Sequence, residues 1–181
     1  MVTDSETPMK DSGDAPVEIP GESRLRELAR ELGARMQSDG IRLASAESCT
    51  GGWLAKIITD IPGSSSWFSA SVVSYSNQAK QSLLGVKANT LASCGAVSGE
   101  TVKEMVAGVF AHTDADIAVS ISGIAGPDGG SDEKPVGLVW FGWGRRDEII
   151  FTENFMFDGD REAVRKQAVA MALDKLLELL H

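Results

Sequence analysis

Residues 41–61 read IRLASAESCTGGWLAKIITDI, and this stretch decides the fold. Its first part, residues 41–46, is typical of a short buried strand that ends at Glu47 and Ser48. The run from Thr50 onwards is typical of a helix, so we expect the helix to begin directly after the strand. A strand that passes straight into a helix predicts an α/β architecture.

The same alternation extends in both directions from this stretch. Upstream, residues spaced three or four positions apart predict a helix that buries one stripe, formed by Leu25, Leu28, Leu32 and Met36. Downstream, predicted strands at 68–76 and 115–122 alternate with a short helix at 77–84, closed by Gly85, and a longer helix after Ser98. An antiparallel hairpin over residues 136–157 and a last helix over 160–180 follow. This order predicts a mixed sheet covered by helices on both faces.

The composition is that of one acidic globular domain. The chain has 181 residues, 43% of them hydrophobic, with 17 basic and 26 acidic residues and a formal net charge of −9. Because nucleic-acid binding relies on basic side chains that neutralise phosphates, we expect no nucleic-acid partner. A small anionic ligand is compatible with this charge, since a few local donors can bind one phosphate.

The domain organisation follows from the first residues. Residues 1–21 are rich in Asp, Glu, Pro, Ser and Gly, so we expect a disordered tail followed by one domain over residues 22–181. The chain shows no signal-peptide pattern and no apolar run long enough for a bilayer. The two cysteines, Cys49 and Cys94, do not suggest a disulfide scaffold. We therefore expect a cytoplasmic protein without a membrane partner.

Ser48 is the first candidate for chemistry, because it sits where the strand meets the helix. The N–H groups of residues 49–51 would lie near the helix N-terminus, where they can donate to an oxyanion. Two interpretations stay open from local sequence: Ser48 is a nucleophile, or it only caps the helix. Cys49 is a competing nucleophile, since a helix N-terminus can acidify a thiol, but cysteine is also a common buried residue.

Lys80 is the candidate base for Ser48. The only histidines are His112, at the end of a helix, and the terminal His181, so a Ser-His-Asp arrangement has poor support. Lys80 follows a predicted strand and could point back over the strand ends, where burial or a nearby cation would have to keep it neutral. The alternative is an ordinary solvated lysine. Tyr75, the only tyrosine, is either a site residue or a half-buried strand aromatic.

A glycine-rich segment, SGIAGPDGG at residues 122–130, follows the third predicted strand. Its N–H groups can form an anion-binding nest, or the segment is only a flexible turn. Arg161 and Arg165, at the start of the last helix, are candidate phosphate ligands or part of a solvated helix face. The sequence carries no paired-cysteine or H-E-x-x-H motif, so we expect neither a metal nor a cofactor.

Six segments of the chain resemble, in the same order, the C-terminal domain of the competence/damage-inducible protein CinA. These segments are AESCTGG (46–52), YSNQAK (75–80), GAVS (95–98), SISGIAGPDGG (120–130), KPVGLVW (134–140) and GDR (159–161). The likeness extends from about residue 24 to residue 180. Larger CinA proteins carry an additional N-terminal domain that this sequence lacks, which favours the stand-alone type, whose members include nicotinamide mononucleotide amidohydrolases.

The resemblance implies an α/β fold with three α/β/α layers around a mixed, mostly parallel sheet. It implies a Ser/Lys amidohydrolase that converts nicotinamide mononucleotide to nicotinate mononucleotide and ammonia in pyridine nucleotide recycling. The implied catalytic residues are Ser48, Lys80 and Tyr75. The implied substrate-binding residues are Cys49, Thr50, Gly51, Gly123, Ala125, Gly126, Asp128, Gly130 and Arg161. We also expect a homo-oligomer such as a dimer.

Two other functions are compatible with these residues. The first is a non-catalytic nucleotide-binding module of the CinA type, linked to competence or the DNA damage response, in which Ser48 is idle. The second is an amidase or esterase that acts on another small molecule. Release of ammonia from nicotinamide mononucleotide distinguishes the expected amidohydrolase from both of these functions.

Overall fold

The computed structural model describes residues 19–180 of the chain. Most of the expected tail, residues 1–18, lies outside the described residues, as does His181. Within the described range, the α-helices are α1 (Glu22–Asp39), α2 (Trp53–Thr59), α3 (Asn77–Leu84), α4 (Ala88–Ser93), α5 (Gly99–His112) and α6 (Arg161–Leu179). The strands are β1 (Leu43–Glu47), β2 (Phe68–Val73), β3 (Ile117–Gly123), β4 (Leu138–Arg145) and β5 (Phe151–Met156).

The five strands form one mixed sheet in the order β2-β1-β3-β4-β5. The central strand β1 pairs parallel with β2 on one side and with β3 on the other. The hairpin strand β4 runs antiparallel to both β3 and β5, so four of the five strands point in the same direction. The mixed, mostly parallel sheet and the antiparallel hairpin are therefore confirmed.

Two hydrophobic cores lie on opposite faces of this sheet. Leu43 and Val119 face a larger core that α1, α2 and α6 cover, whereas Ala44 and Ala118 face a smaller core beneath α3 and α5. Successive strand residues point to opposite faces, so the central strands supply both cores from one backbone. The predicted stripes on α1 and α5 are buried in these cores, with Phe110 only half-buried. This arrangement confirms the three-layer α/β/α architecture.

The helix after β1 begins later than the sequence pattern predicted. Residues 48–52 form a turn, and α2 starts at Trp53 instead of Thr50. Gly51 and Gly52 adopt φ values of 61° and 92°, which glycine tolerates and which interrupt a right-handed helix. The short helix α4 lies where the sequence predicted a loop, because its six residues lack a clear apolar period and bury none of their side chains.

Candidate active site

The candidate site lies at the edge of the sheet where the parallel strands β2, β1 and β3 end. The β1 ladder continues past the strand, since Ser48 donates its backbone N–H to the carbonyl oxygen of Ile121 at 2.9 Å. Ser74, just after β2, donates in the same way to the carbonyl oxygen of Glu47 at 2.8 Å. Ligands commonly bind beyond the carboxyl ends of such strands, so Ser48 is anchored at the expected position.

A cavity of about 220 Å³ opens at this edge. It is formed by the turn after β1, the end of β3, the loop before α5, and side chains from α3 and α6. Its lining residues are Ser48, Cys49, Tyr75, Lys80, Ala96, Val97, Ser122, Gly123, Ala125 and Arg161. Larger grooves occur elsewhere on the described surface, but their linings lack a serine–lysine pair.

Lys80 reaches Ser48 across the floor of this cavity. Its Nζ lies 2.8 Å from the Oγ of Ser48 and 2.7 Å from the carbonyl oxygen of Ser74. The start of α3 is held by Ser76, whose hydroxyl accepts the N–H of Ala79 at 3.0 Å, and Lys80 lies on the buried side of this helix. The alternative of a solvated lysine is therefore wrong, because the side chain is 1% exposed.

The environment of Lys80 shifts its protonation equilibrium toward the neutral form. Burial lowers the pKa of Lys80 from 10.5 to about 8. Mildly alkaline conditions thus supply an uncharged amine next to a serine hydroxyl, as nucleophilic catalysis by a Ser/Lys pair requires. Ser48 does not cap α2, because the N-cap position of that helix is Gly52. The purely structural interpretation of Ser48 as a helix cap is therefore wrong.

Cys49 lines the cavity next to Ser48, but its thiol is poorly suited to attack. Burial raises the pKa of Cys49 from 9.0 to about 11, so the thiol is protonated at neutral pH. A thiol reacts as a nucleophile through its thiolate. The geometry therefore favours Ser48 over Cys49.

Glu47 holds the turn that carries Ser48. Its side chain is fully buried, and its carboxylate accepts the backbone N–H groups of Gly52, Leu54 and Ala55 at 2.9–3.1 Å. The hydroxyl of Ser71 on β2 also donates to it, at 3.3 Å. A carboxylate at a helix N-terminus is stabilised by the unpaired N–H groups and by the helix dipole. The donors of α2 are therefore occupied by the protein itself.

Two backbone donors in the turn are left over. The N–H of Gly51, which the sequence included among the oxyanion donors, donates to the carbonyl oxygen of Ser48 at 3.1 Å. Within residues 19–180, the N–H groups of Cys49 and Thr50 have no acceptor in another residue. These two groups, which follow Ser48 directly, are the donors that remain available for a ligand.

Arg161 lies at the rim of the cavity and is bonded to two parts of its wall. Its guanidinium donates to the carbonyl oxygen of Gly126 at 2.7 Å and to the hydroxyl of Tyr75 at 2.8 Å. Tyr75 is 61% exposed, and its hydroxyl bonds to Arg161 instead of the Ser48–Lys80 pair. Arg161 is exposed and keeps further N–H groups for an anionic ligand, because guanidinium carries five donors.

Arg165, the other candidate phosphate ligand, points into the protein. Its Nε and one terminal nitrogen donate to the carbonyl oxygens of Cys49 and Thr50, each at 3.0 Å. Its guanidinium also lies 5.2 Å from the centre of the Trp53 ring. These contacts direct Arg165 to the turn around Ser48, which the sequence did not predict.

The structure thus brings together seven of the predicted site residues in one cavity, and Gly126 contacts it through Arg161. Thr50 has a buried side chain, and Gly51 is exposed, outside the lining. Asp128 and Gly130 are exposed and also lie outside the lining. Their role in substrate binding stays a prediction.

Several residues that form the site were missed. Ala96, Val97 and Ser122 line the cavity, and Ser122 donates to the carbonyl oxygen of Ala96 at 2.7 Å. The segments GAVS and SISG were recognised as family motifs, so the signal for these residues was present without a role. Glu47 lies in the motif AESCTGG but was given no role, because the sequence does not show that its side chain turns back to the N–H groups of residues 52–55. Ser74 carried no signal, because it lies just outside the motif YSNQAK and acts through its backbone groups.

No group of three or more His, Cys, Asp or Glu side chains suited to hold a metal occurs in residues 19–180. The same residues include no helix that is both long and apolar enough to cross a membrane.

Comparison with known proteins places these features in a family. The sequence model of the CinA C-terminal domain matches residues 25–180. The chain is 55% identical over 156 residues to the nicotinamide-nucleotide amidohydrolase PncC of Enterobacter agglomerans, covering 86% of this chain and 95% of that protein. It is 52% identical to PncC of Escherichia coli K12, with 86% and 94% coverage. In contrast, a putative competence-damage inducible protein of a Thermoanaerobacter species, 48% identical, is matched over 36% of its length.

Solved structures show the same fold. The competence/damage inducible protein CihA from Agrobacterium tumefaciens superposes with a TM-score of 0.85 at 38% identity, covering 91% of this chain and 99% of that chain. A CinA superfamily protein from Escherichia coli superposes with a TM-score of 0.84 at 35% identity, covering 95% and 99%. The family match spans most of the chain and agrees with the architecture, and we conclude that the chain belongs to the CinA C-terminal domain family.

Proposed function

We propose that this protein is a nicotinamide mononucleotide deamidase, a hydrolase that releases ammonia from the carboxamide of the nucleotide and leaves nicotinate mononucleotide. The observation that carries the proposal is the 2.8 Å contact between the Nζ of buried Lys80 and the Oγ of Ser48. The names of the relatives that match over nearly their whole length supply the substrate. In a cell, this reaction would return a pyridine nucleotide to recycling as the acid.

Acylation begins with the neutral amine of Lys80. The amine takes the hydroxyl proton of Ser48 while Oγ forms a bond to the carboxamide carbon. The oxygen of the carboxamide becomes negatively charged and accepts hydrogen bonds from the N–H groups of Cys49 and Thr50. Among the described residues, these N–H groups of the turn have no acceptor in another residue. Preorganised donors of this kind stabilise the tetrahedral intermediate.

Collapse of the intermediate breaks the carbon–nitrogen bond. Protonated Lys80 gives its proton to the departing nitrogen, which leaves as ammonia, and Ser48 keeps the nicotinoyl group as an ester. Water then attacks this ester while Lys80 accepts a proton from it. The alkoxide of Ser48 recovers that proton, and nicotinate mononucleotide leaves. The cycle ends with Ser48 protonated and Lys80 neutral.

The phosphate of the substrate is assigned to the rim around Arg161. The chain is acidic overall, so attraction at long range does not help a phosphate, and affinity has to come from short, oriented donors. Arg161 is exposed beside the cavity and is positioned by Tyr75 and by Gly126 in the glycine-rich segment. Tyr75 therefore acts in substrate binding through Arg161 in this proposal.

The direct test is an ammonia assay with nicotinamide mononucleotide, combined with chromatography that identifies nicotinate mononucleotide. Wild type should produce both in equal amounts, and Ser48→Ala should produce neither. Rapid quenching followed by mass spectrometry should find the nicotinoyl mononucleotide ester on the peptide that contains Ser48. Wild type that binds the nucleotide without releasing ammonia would instead indicate a binding module.

A further inference from the structure

The guanidinium of Arg165 contacts the turn around Ser48 from the side of α6. It donates to the carbonyl oxygens of Cys49 and Thr50, each at 3.0 Å, and packs 5.2 Å from the ring centre of Trp53. A Cβ atom at Gly51 would lie 3.5 Å from a terminal nitrogen of Arg165, an ordinary contact distance, so the guanidinium packs directly against this part of the turn. Planar Arg binds two adjacent acceptors in one orientation, which Lys cannot reproduce.

These contacts determine where the N–H of Thr50, one of the two leftover donors of the turn, points. The peptide between Cys49 and Thr50 is trans, so its C=O and N–H point in opposite directions. Because the carbonyl of Cys49 is bonded to Arg165, the N–H of Thr50 is directed away from α6. The neighbouring N–H groups of Gly51 and Gly52 are occupied by Ser48 and Glu47.

We propose that Arg165 is the positioning residue of the oxyanion site, orienting the turn so that the N–H of Thr50 can donate to the intermediate formed on Ser48. This inference rests on the proposed function, in which Ser48 is the nucleophile. Arg165 does not line the cavity, and it bonds to the turn and packs against Trp53. Glu47 fixes the other end of the same turn by accepting donors of α2.

The chain offers a matched control at Arg146. Its guanidinium donates to the carbonyl oxygens of Phe110, Thr113 and Ala115 at 2.8–3.0 Å and lies 5.1 Å from the ring centre of Phe110. The chemistry therefore matches that of Arg165, but the contacts tie the end of α5 to β3, outside the lining of the cavity. Replacing Arg146 by Met removes the same kind of structural support without altering the turn.

The test compares Arg165→Met, Arg165→Lys and Arg146→Met with wild type on nicotinamide mononucleotide, well below each melting temperature. Loss of one oxyanion donor costs about 100- to 1000-fold in kcat. In Arg165→Met the N–H of Thr50 is still present but is misdirected. We therefore expect kcat to fall about 10- to 100-fold, while KM stays within threefold of the wild-type value. The apparent pKa of the rate should stay near that of wild type. Arg165→Lys should recover only part of kcat, and Arg146→Met should lower the melting temperature with kcat unchanged.

A second readout does not depend on the natural substrate. In a fluorophosphonate probe, Oγ of Ser48 bonds to phosphorus, fluoride leaves, and the hydroxyl proton passes to Lys80; the adduct places an oxygen where the oxyanion would lie. Mass spectrometry should show that Arg165→Met labels at least tenfold more slowly than wild type and Arg146→Met.

The two measurements separate the possible failures. Wild type that labels at Ser48 but releases no ammonia from nicotinamide mononucleotide would refute the proposed substrate, and the labelling rates would still test Arg165. Equal labelling of Arg165→Met and wild type overturns the inference. The inference is also overturned if Arg146→Met loses as much kcat as Arg165→Met, or if the loss of kcat in Arg165→Met comes with an equal change in KM. A wild type that takes up no label overturns it as well.

Discussion

The Nζ of Lys80 is held between the Oγ of Ser48, at 2.8 Å, and the carbonyl oxygen of Ser74, at 2.7 Å. The carbonyl belongs to the residue after β2 and the hydroxyl to the residue after β1, so the lysine spans two neighbouring strand ends. Its position therefore depends on the pairing of these strands as well as on α3. This contact makes the chemistry of the site and the stability of the fold depend on one buried amine.

Replacing Ser48 by Ala should abolish turnover while leaving the fold intact. The nucleophile is lost, and Ser48 caps no helix, so the free energy of unfolding should change by less than about 1 kcal/mol. We expect kcat/KM to fall by several orders of magnitude. Cys49→Ala is the control and should keep most of the activity, since its thiol has a raised pKa. If Cys49→Ala lost activity while Ser48→Ala kept it, the thiol of Cys49 would be the nucleophile.

The rate should follow the deprotonation of Lys80. Because burial lowers the pKa of Lys80 to about 8, kcat/KM should rise about tenfold per pH unit below that value and level off above it. Lys80→Arg should be inactive throughout, since a guanidinium stays protonated. The measurement is a pH profile from 6 to 10 in buffers of constant ionic strength. A rate independent of pH over 6 to 9 would exclude Lys80 as the base.

Burial of the charged Lys80 side chain should also lower the free energy of unfolding. The lowered pKa corresponds to roughly 3 kcal/mol of charging penalty, part of which the two hydrogen bonds of Lys80 offset. We expect Lys80→Met to be inactive yet more stable than wild type by about 1–2 kcal/mol at pH 7. Denaturant unfolding monitored by fluorescence measures this difference.

The pH dependence of that difference has a definite sign. Between about pH 8 and 10.5 the unfolded chain binds more protons at Lys80 than the folded chain, so wild type gains stability as the pH rises. The advantage of Lys80→Met should therefore be constant below pH 8 and shrink above it. An advantage that grows with pH, or a variant less stable than wild type at pH 7, would contradict this account.

Glu47→Gln tests the carboxylate that holds the turn. The amide keeps one acceptor oxygen and presents an NH₂ group to backbone donors, so hydrogen bonds to a fully buried group are lost. We expect a loss of about 2–4 kcal/mol in the free energy of unfolding. Glu104 is the matched control, because its carboxylate accepts a backbone N–H and a hydroxyl, each at 2.8 Å, near the surface. Equal losses in the two variants would contradict a special role for Glu47.

Arg161→Ala tests the assigned phosphate site. Each charge-assisted hydrogen bond contributes roughly 1.5–3 kcal/mol, so two or three bonds to the phosphate should make wild type prefer nicotinamide mononucleotide to its riboside by about two or more orders of magnitude. The variant should lose about 10- to 100-fold of that preference, mainly through a higher KM for the nucleotide. The measurement is kcat/KM for both substrates on both proteins. Equal efficiency of wild type on nucleotide and riboside would show that no phosphate site exists.

The sequence by itself determined most of the elements and their order. Periodic apolar residues predicted α1, α5 and α6, and alternation predicted β3 and the hairpin, because these signals are local and repeat several times within each element. The start of α2 and the short helix α4 were missed. The turn before α2 is made by two glycines with positive φ, and α4 buries no side chains, so neither produces an apolar period.

The candidate nucleophile and base were also accessible from sequence, through a family motif for each. Only the tertiary structure decided that Lys80 is buried, that it lies against Ser48, and that Arg165 faces the turn instead of solvent. These properties arise from contacts between residues 32 and 116 positions apart. Such contacts depend on strand register and helix packing, which place the ends of β1 and β2 beside α3 and α6. No local pattern of residues encodes the pKa of a side chain or the direction of a peptide group.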